Sequence, residues 1–162
     1  MTVLGIDPGT AACGFGIVQG RGSRLKAVEF GWWQTSAKQR PELRLKTIFD
    51  GVIDLIEQFN PRAVAIEESF VGVDARTALS VGQARGAVLV AAASLGVECA
   101  EYAPSSVKQA VSGYGRAEKA QVQRMVMAIL HLKQAPTPHH AADALAVAIC
   151  HALAPRLLRA TG

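Results

Sequence analysis

The opening of the chain constrains the fold most. Residues 3–6 are an apolar run stopped at Asp7-Pro8-Gly9-Thr10, and a second β-rich run, residues 14–18, follows almost at once. Two strands joined by so short a connection form an antiparallel hairpin. Residues 25–35 supply a third strand, with Val28, Phe30 and Trp32 alternating against Ala27, Glu29 and Gly31. From Pro41 the period changes, and Leu45, Ile48, Phe49, Val52, Ile56 and Phe59 recur at the spacing of an amphipathic helix. Asn60-Pro61 breaks that helix, and residues 63–67 read as a short buried strand. A strand reached through a helical crossover runs parallel to the strand it joins. A helix over residues 75–95, a strand over 97–102, a helix from Pro104 closed by Gly113, and helices over about 117–130 and 138–153 follow. The expected fold is therefore α/β, with three antiparallel strands, then parallel strands, and helices on both faces of one mixed sheet.

At 162 residues the chain suits one compact domain, expected over residues 1–154 with a tail at 155–162. Half of it is hydrophobic and 19% is charged, a balance that builds a core and excludes disorder over most of the length. Seventeen Lys and Arg against thirteen Asp and Glu leave a charge of +4, compatible with a polyanionic partner. Cys13, Cys99 and Cys150 are odd in number and form no C-x-x-C pair, which points away from a disulfide framework or a zinc site and toward a reducing compartment. The longest uncharged apolar stretch, residues 86–97, falls short of the roughly 20 residues needed to cross a bilayer. With no basic region before an early acid, the amino terminus does not read as a secretory signal, so a cytoplasmic protein without a membrane partner is expected.

The chemistry lies in where the acids fall. Asp7 ends the first strand, Glu67 and Glu68 end the fourth, and Asp143 interrupts an apolar helix rich in alanine. If the first and fourth strands are parallel neighbours, their carboxyl ends share the edge at which open α/β sheets bind ligands. Carboxylates gathered there repel one another unless a cation intervenes. Oxygen-rich sets of this kind suit Mg²⁺ or Mn²⁺, and two such ions about 4 Å apart serve phosphodiester cleavage. Alone, Asp7 could cap a turn and Asp143 could be an exposed helix acid. Glu67 and Glu68 point to opposite faces of their strand, so only one of them can readily meet Asp7, and spacing leaves the choice open. His140 lies three residues before Asp143 on the same helix face, whereas His139 points about 100° away. His131 and His151 read as structural, and Trp32, Trp33 and Tyr114 as packing residues.

Six segments in order, Gly5-Ile6-Asp7-Pro8-Gly9-Thr10, Ala65-Ile66-Glu67, Gly82-Gln83-Ala84-Arg85-Gly86, Val107-Lys108-Gln109, Ala117-Glu118-Lys119 and Ala141-Ala142-Asp143-Ala144-Leu145, resemble the RuvC family of Holliday junction resolvases over nearly the whole chain. The resemblance implies an RNase H-like fold, a homodimer, and metal-dependent nicking of two opposed strands at a four-way DNA junction in recombination and repair, leaving 5′-phosphate ends. It further implies a branch-migration helicase complex as partner. Asp7, Glu67 and Asp143 match three acidic catalytic residues of the family, which leaves Glu68 without a role. At the fourth position many members carry Asp, whereas this chain has His140. Imidazole is a softer ligand and favours Mn²⁺ over Mg²⁺. Lys108 and Lys119 fall in segments resembling junction-binding elements, joined by Arg116 in the glycine-bearing loop. Phe70 matches a family aromatic that stacks on bases at the opened crossover, and Arg76 either meets the junction centre or caps the next helix. Two alternatives remain: another RNase H-like nuclease acting on RNA/DNA hybrids, told apart by substrate competition, and a non-catalytic junction-binding module, told apart by metal-dependent nicking. An actin-like ATPase shares the opening glycine turn but needs two such domains.

Overall fold

The computed structural model describes residues 1–68 and 74–154. Five strands, β1 (Thr2–Asp7), β2 (Ala12–Arg21), β3 (Arg24–Gln34), β4 (Ala63–Glu67) and β5 (Glu98–Tyr102), form one sheet in the order β3-β2-β1-β4-β5. The β1/β2 and β2/β3 pairs are antiparallel, and the β1/β4 and β4/β5 pairs are parallel. The mixed sheet expected from the sequence is thus the one observed, with β2 longer at both ends because its pairing with β3 runs from Ala12 opposite Gln34 to Arg21 opposite Arg24.

The helices divide between the two faces according to strand alternation. Leu4 and Ile6 of β1 and Val64 and Ile66 of β4 point into a core closed by α1 (Pro41–Phe59) and α2 (Ala75–Ser94). Val3 and Ala65 point the other way, into a core with α3 (Pro104–Ser112), α4 (Lys119–Leu130) and α5 (His139–Leu153). Breakers set the helix ends. Pro41 and Pro104 open α1 and α3, where a missing N–H costs nothing, and Gly113 closes α3 at φ 77°. Asp74 caps α2, its carboxylate accepting from the Thr77 N–H at 3.0 Å and the Thr77 hydroxyl at 2.8 Å. None of the described helices is long and apolar enough to cross a membrane.

One close approach positions everything that follows. A Cβ added to Gly5 would lie 2.0 Å from the Ala144 carbonyl oxygen, and one added to Gly14 would lie 2.0 Å from that of His140. Gly5 and Gly14 sit on adjacent strands of the face that α5 covers, and Gly16, paired with Gly5, would meet the Leu145 side chain at 2.7 Å. With no side chains on this patch of the sheet, and with Ala141, Ala144 and Ala148 wholly buried on the helix, the α5 backbone rests almost directly on β1 and β2. The side chains at the amino-terminal end of α5 are thereby held over the carboxyl end of β1.

The aromatic residues behave unequally. Trp33 stacks on Phe15, ring centroids 4.7 Å apart, against Gly51 of α1. Trp32 and Tyr114, expected to pack, are instead 43% and 56% exposed. Trp32 belongs to the edge strand β3, which has a neighbour on one side only, and Tyr114 lies in the turn after α3. His151 is buried and shares a 2.8 Å hydrogen bond between its Nδ1 and the Tyr102 hydroxyl, a structural role. His131 closes α4 in the left-handed region at φ 55°. All three cysteines are free, Cys13 and Cys150 buried and Cys99 half-buried.

Candidate active site

The register of the sheet decides which glutamate faces Asp7. Gly5 pairs with Ala65 and Ile6 with Ile66, so Asp7 and Glu67 stand one residue past the last pair on adjacent parallel strands. Alternation puts both on the α5 face with Val3, Gly5 and Ala65. Glu68 turns to the opposite face, where its charge acts on Arg85, a residue whose Nε and Nη2 both donate to the Glu101 carboxylate. Of the two glutamates it is Glu67 that shares the α5 face with Asp7, and β4 is fastened to β5 by the Glu68 N–H donating to the Tyr102 carbonyl at 2.9 Å.

From the other side α5 delivers His140 and Asp143. The His140 Nδ1 lies 2.8 Å from Asp7 Oδ2, and this hydrogen bond holds the ring's pKa above its ordinary value of 6.5 against the opposing effect of burial. Asp143 is half-buried in a helix whose next nine residues are all buried. Burial pushes its carboxyl pKa up, the hydrogen bond from Lys119 opposes this, and the charge of Asp7 adds to the rise. The Lys119 ammonium donates to Asp143 Oδ2 at 2.9 Å. Lys119 is the first residue of α4, so two helices from late in the chain bring one acid and its counter-charge to the rim of the sheet.

The turn that carries Asp7 is fastened by hydroxyl groups that sequence reasoning did not single out. The Thr35 hydroxyl donates to the Thr10 carbonyl, the Thr10 and Ser80 hydroxyls are bonded to each other, and Arg44 Nε donates to Thr35 Oγ1 at 2.9 Å. The turn after β1 is thereby tied to β3, α1 and α2 at once. Serines and threonines so far apart in the chain carry no spacing signal, which is why pattern reading passes over them. Cys13, beside this turn, is wholly buried, and burial pushes its thiol up to about 12, so it takes no part as a thiolate nucleophile.

The candidate DNA-contacting residues are dispersed. Lys119 meets Asp143, Lys108 is half-exposed on α3, and Arg116 is exposed between α3 and α4. Arg76 is exposed in the first turn of α2, where the capping of that helix is done by Asp74. Phe70 lies outside the described residues.

Among the described residues no three His, Cys, Asp or Glu side chains are gathered as a metal cluster; Asp7 is engaged by His140 and Asp143 by Lys119. The donor set nonetheless fits a hard divalent cation. It offers three carboxylates and one imidazole at one rim, and Asp143, half-buried and acted on by Asp7, already draws in a cation in the form of Lys119. Such a rim, with carboxylates at the ends of adjacent parallel strands, is equipped for chemistry on a phosphodiester.

Comparison with known proteins agrees with this geometry. Residues 3–151 match the family model described as crossover junction endodeoxyribonuclease RuvC. The crossover junction endodeoxyribonuclease RuvC of Moorella thermoacetica is 52% identical over 152 residues, covering 94% of this chain and 91% of that protein. The RuvC structure of Thermus thermophilus superposes with a TM-score of 0.88 at 43% identity, covering 94% of each chain. The Thermus protein in complex with Holliday junction substrate superposes with a TM-score of 0.92 at 41% identity, covering 99% of this chain and 97% of that one. With the register of the sheet, the seating of α5 and these likenesses in agreement, this chain belongs to the RuvC family of crossover junction endodeoxyribonucleases.

Proposed function

We propose that this protein is a structure-specific endonuclease that resolves four-way DNA junctions by paired, symmetric nicks, leaving 5′-phosphate ends, in recombination and repair. The observation that carries this reading is the stacking of α5 on Gly5 and Gly14, which sets His140 and Asp143 over the strand ends bearing Asp7 and Glu67. A relative of 41% identity that has been solved in complex with Holliday junction substrate supports the choice of substrate.

Asp7, Glu67, His140 and Asp143 are the residues that would hold two Mg²⁺ or Mn²⁺ ions, which supply activation of a water and stabilisation of the departing 3′ oxygen. The chain's own part is to orient and to neutralise. Asp7 fixes the ring of His140 through Nδ1, leaving Nε2 to exchange a proton with water or to ligate. Lys108 and Lys119, with Arg116, supply positive charge for phosphates near the acids, Arg76 a charge toward the junction centre, and Phe70 an aromatic face for an unstacked base. Arg76 and Arg116 are exposed, as a phosphate contact requires.

Two cuts on opposed strands need two sites related by a twofold axis, and the exposed face of α2 is suited to pairing with a second copy. Leu79 and Val90 are 64% and 59% exposed, and the positions of Gly82 and Gly86 between them open onto empty space. Apolar surface of this kind beside a groove lined by Leu45, Phe49 and Ala87 is what a homodimer seam buries. The three free cysteines agree with a cytoplasmic location, where a branch-migration helicase complex would be the protein's partner.

The test is incubation of the protein with a synthetic mobile four-way junction and Mn²⁺, with an RNA/DNA hybrid as competitor. Symmetric, ligatable cuts in two opposed strands, undiminished by the hybrid, are expected. Cleavage of the hybrid alone, or binding without nicking, would overturn the reading.

A further inference from the structure

Asp143 has as its counter-charge a lysine from another helix. Lys119 Nζ lies 2.9 Å from Asp143 Oδ2, with the ammonium side chain 56% exposed and the carboxylate side chain 24% exposed. That asymmetry matters. The acid is fixed in a helix that rests on the sheet, whereas the lysine is the first residue of α4 with most of its length in solvent and can swing away at small cost. An ammonium on that oxygen and a divalent cation ligated by the same carboxylate compete for it and repel each other by like charge.

We propose that Lys119 is a removable internal counter-ion of Asp143: it neutralises this acid in the metal-free protein, disfavours metal loading while it stays there, and vacates the site when a DNA phosphate offers it a better partner. This rests on the reading of Asp143 as a metal ligand. Occupancy of the site by metal is thereby coupled to arrival of substrate, since whatever draws Lys119 outward raises the affinity of Asp143 for a cation. Among the described residues, His140 and His139 also act near this rim. His140 is bonded to Asp7, and His139 acts on Asp143 through its charge alone, so Lys119 is the cation with direct hold of Asp143.

The experiment is calorimetric titration of the metal-free protein with MnCl₂ at fixed ionic strength, with no DNA present. Lys119→Met is expected to bind Mn²⁺ about tenfold more tightly than the wild type, Lys119→Arg to stay near the wild type, and Lys108→Met, whose charge does not touch Asp143, to change little. A gain below about threefold for Lys119→Met, or an equal gain for Lys108→Met, overturns the inference, the latter by showing only a general effect of net charge. Asp143→Asn separates this failure from a failure of the metal reading. If that variant binds Mn²⁺ as the wild type does, Asp143 is no ligand, whereas if it binds weakly while Lys119→Met shows no gain, only the counter-ion role is lost. As a second readout, the thermal midpoint of Lys119→Met is expected to rise more on adding Mn²⁺ than that of the wild type.

Discussion

The His140 Nδ1 sits 2.8 Å from Asp7 Oδ2, joining the first turn of α5 to the last residue of β1 across 133 positions of sequence. Because the bond to Asp7 raises the pKa of the ring above 6.5, the folded protein holds this proton more tightly than the unfolded chain does. The stabilisation is fully present below the unfolded value of 6.5 and is lost as pH rises through the higher folded value. Melting of wild type and His140→Gln in a chelator, from about pH 5.5 to about pH 8.5, should therefore show the largest wild-type advantage at the acidic end. An advantage that grows toward alkaline pH would mean that the pair is not held together by a protonated ring.

Asp7→Asn is expected to lower nicking by at least about 1,000-fold while leaving junction affinity intact. The substitution keeps the shape of the side chain and removes one negative charge from the face where phosphate must approach, so binding has no electrostatic reason to weaken. Gel-shift and cleavage measurements on the same junction would show the split. Nicking at the wild-type rate would remove Asp7 from the chemistry.

Gly5→Ala and Gly14→Ala should each destabilise by on the order of 1–3 kcal/mol. The added methyl group would stand 2.0 Å from a carbonyl oxygen of α5, and main chain gives way less readily than a flexible side chain. Because α5 must lift to make room, nicking should fall further than binding, and denaturant titration set beside cleavage rates would reveal it. Unchanged stability in both variants would contradict the close seating of the helix.

Most of this fold is legible in the sequence because the changes of period are sharp. The hairpin at Asp7-Pro8-Gly9-Thr10, the helical repeat from Leu45 to Phe59 and the breakers Pro61, Pro104 and Gly113 mark elements that the structure reproduces to within a few residues. Asp7 and Glu67 were legible as strand-end carboxylates and Asp143 as an acid in an apolar helix, and the order of the motifs gave them a family. Strand alternation alone could not choose between Glu67 and Glu68, since the choice depends on the face to which β1 turns Asp7, a matter of register between strands far apart in sequence. The grip of Lys119 on Asp143 and the hydroxyl ties of Thr10, Thr35 and Ser80 were equally hidden, because each joins segments that meet only once the chain has folded.

Val90→Glu tests the paired arrangement. Val90 is 59% exposed on α2, and in the proposed dimer a carboxylate there would have to be desolvated against its symmetry mate. Sedimentation should show a monomer at concentrations where the wild type is dimeric, and junctions should accumulate single nicks in place of opposed pairs. An unaltered dimer would move the seam away from this face.

Metal preference tests whether His140 serves as the fourth ligand. A nitrogen donor among oxygen donors favours Mn²⁺, which accepts imidazole more readily than Mg²⁺ does. Nicking with Mn²⁺ should therefore at least equal nicking with Mg²⁺ in the wild type, and His140→Asp should shift the ratio toward Mg²⁺ by restoring an all-oxygen set. Rates at saturating metal are the quantity to compare, so that affinity and chemistry are not confounded. If Mg²⁺ is clearly superior in the wild type and the ratio does not move in His140→Asp, then His140 is not a ligand, and its bond to Asp7 marks it as a residue that orients that carboxylate or carries a proton.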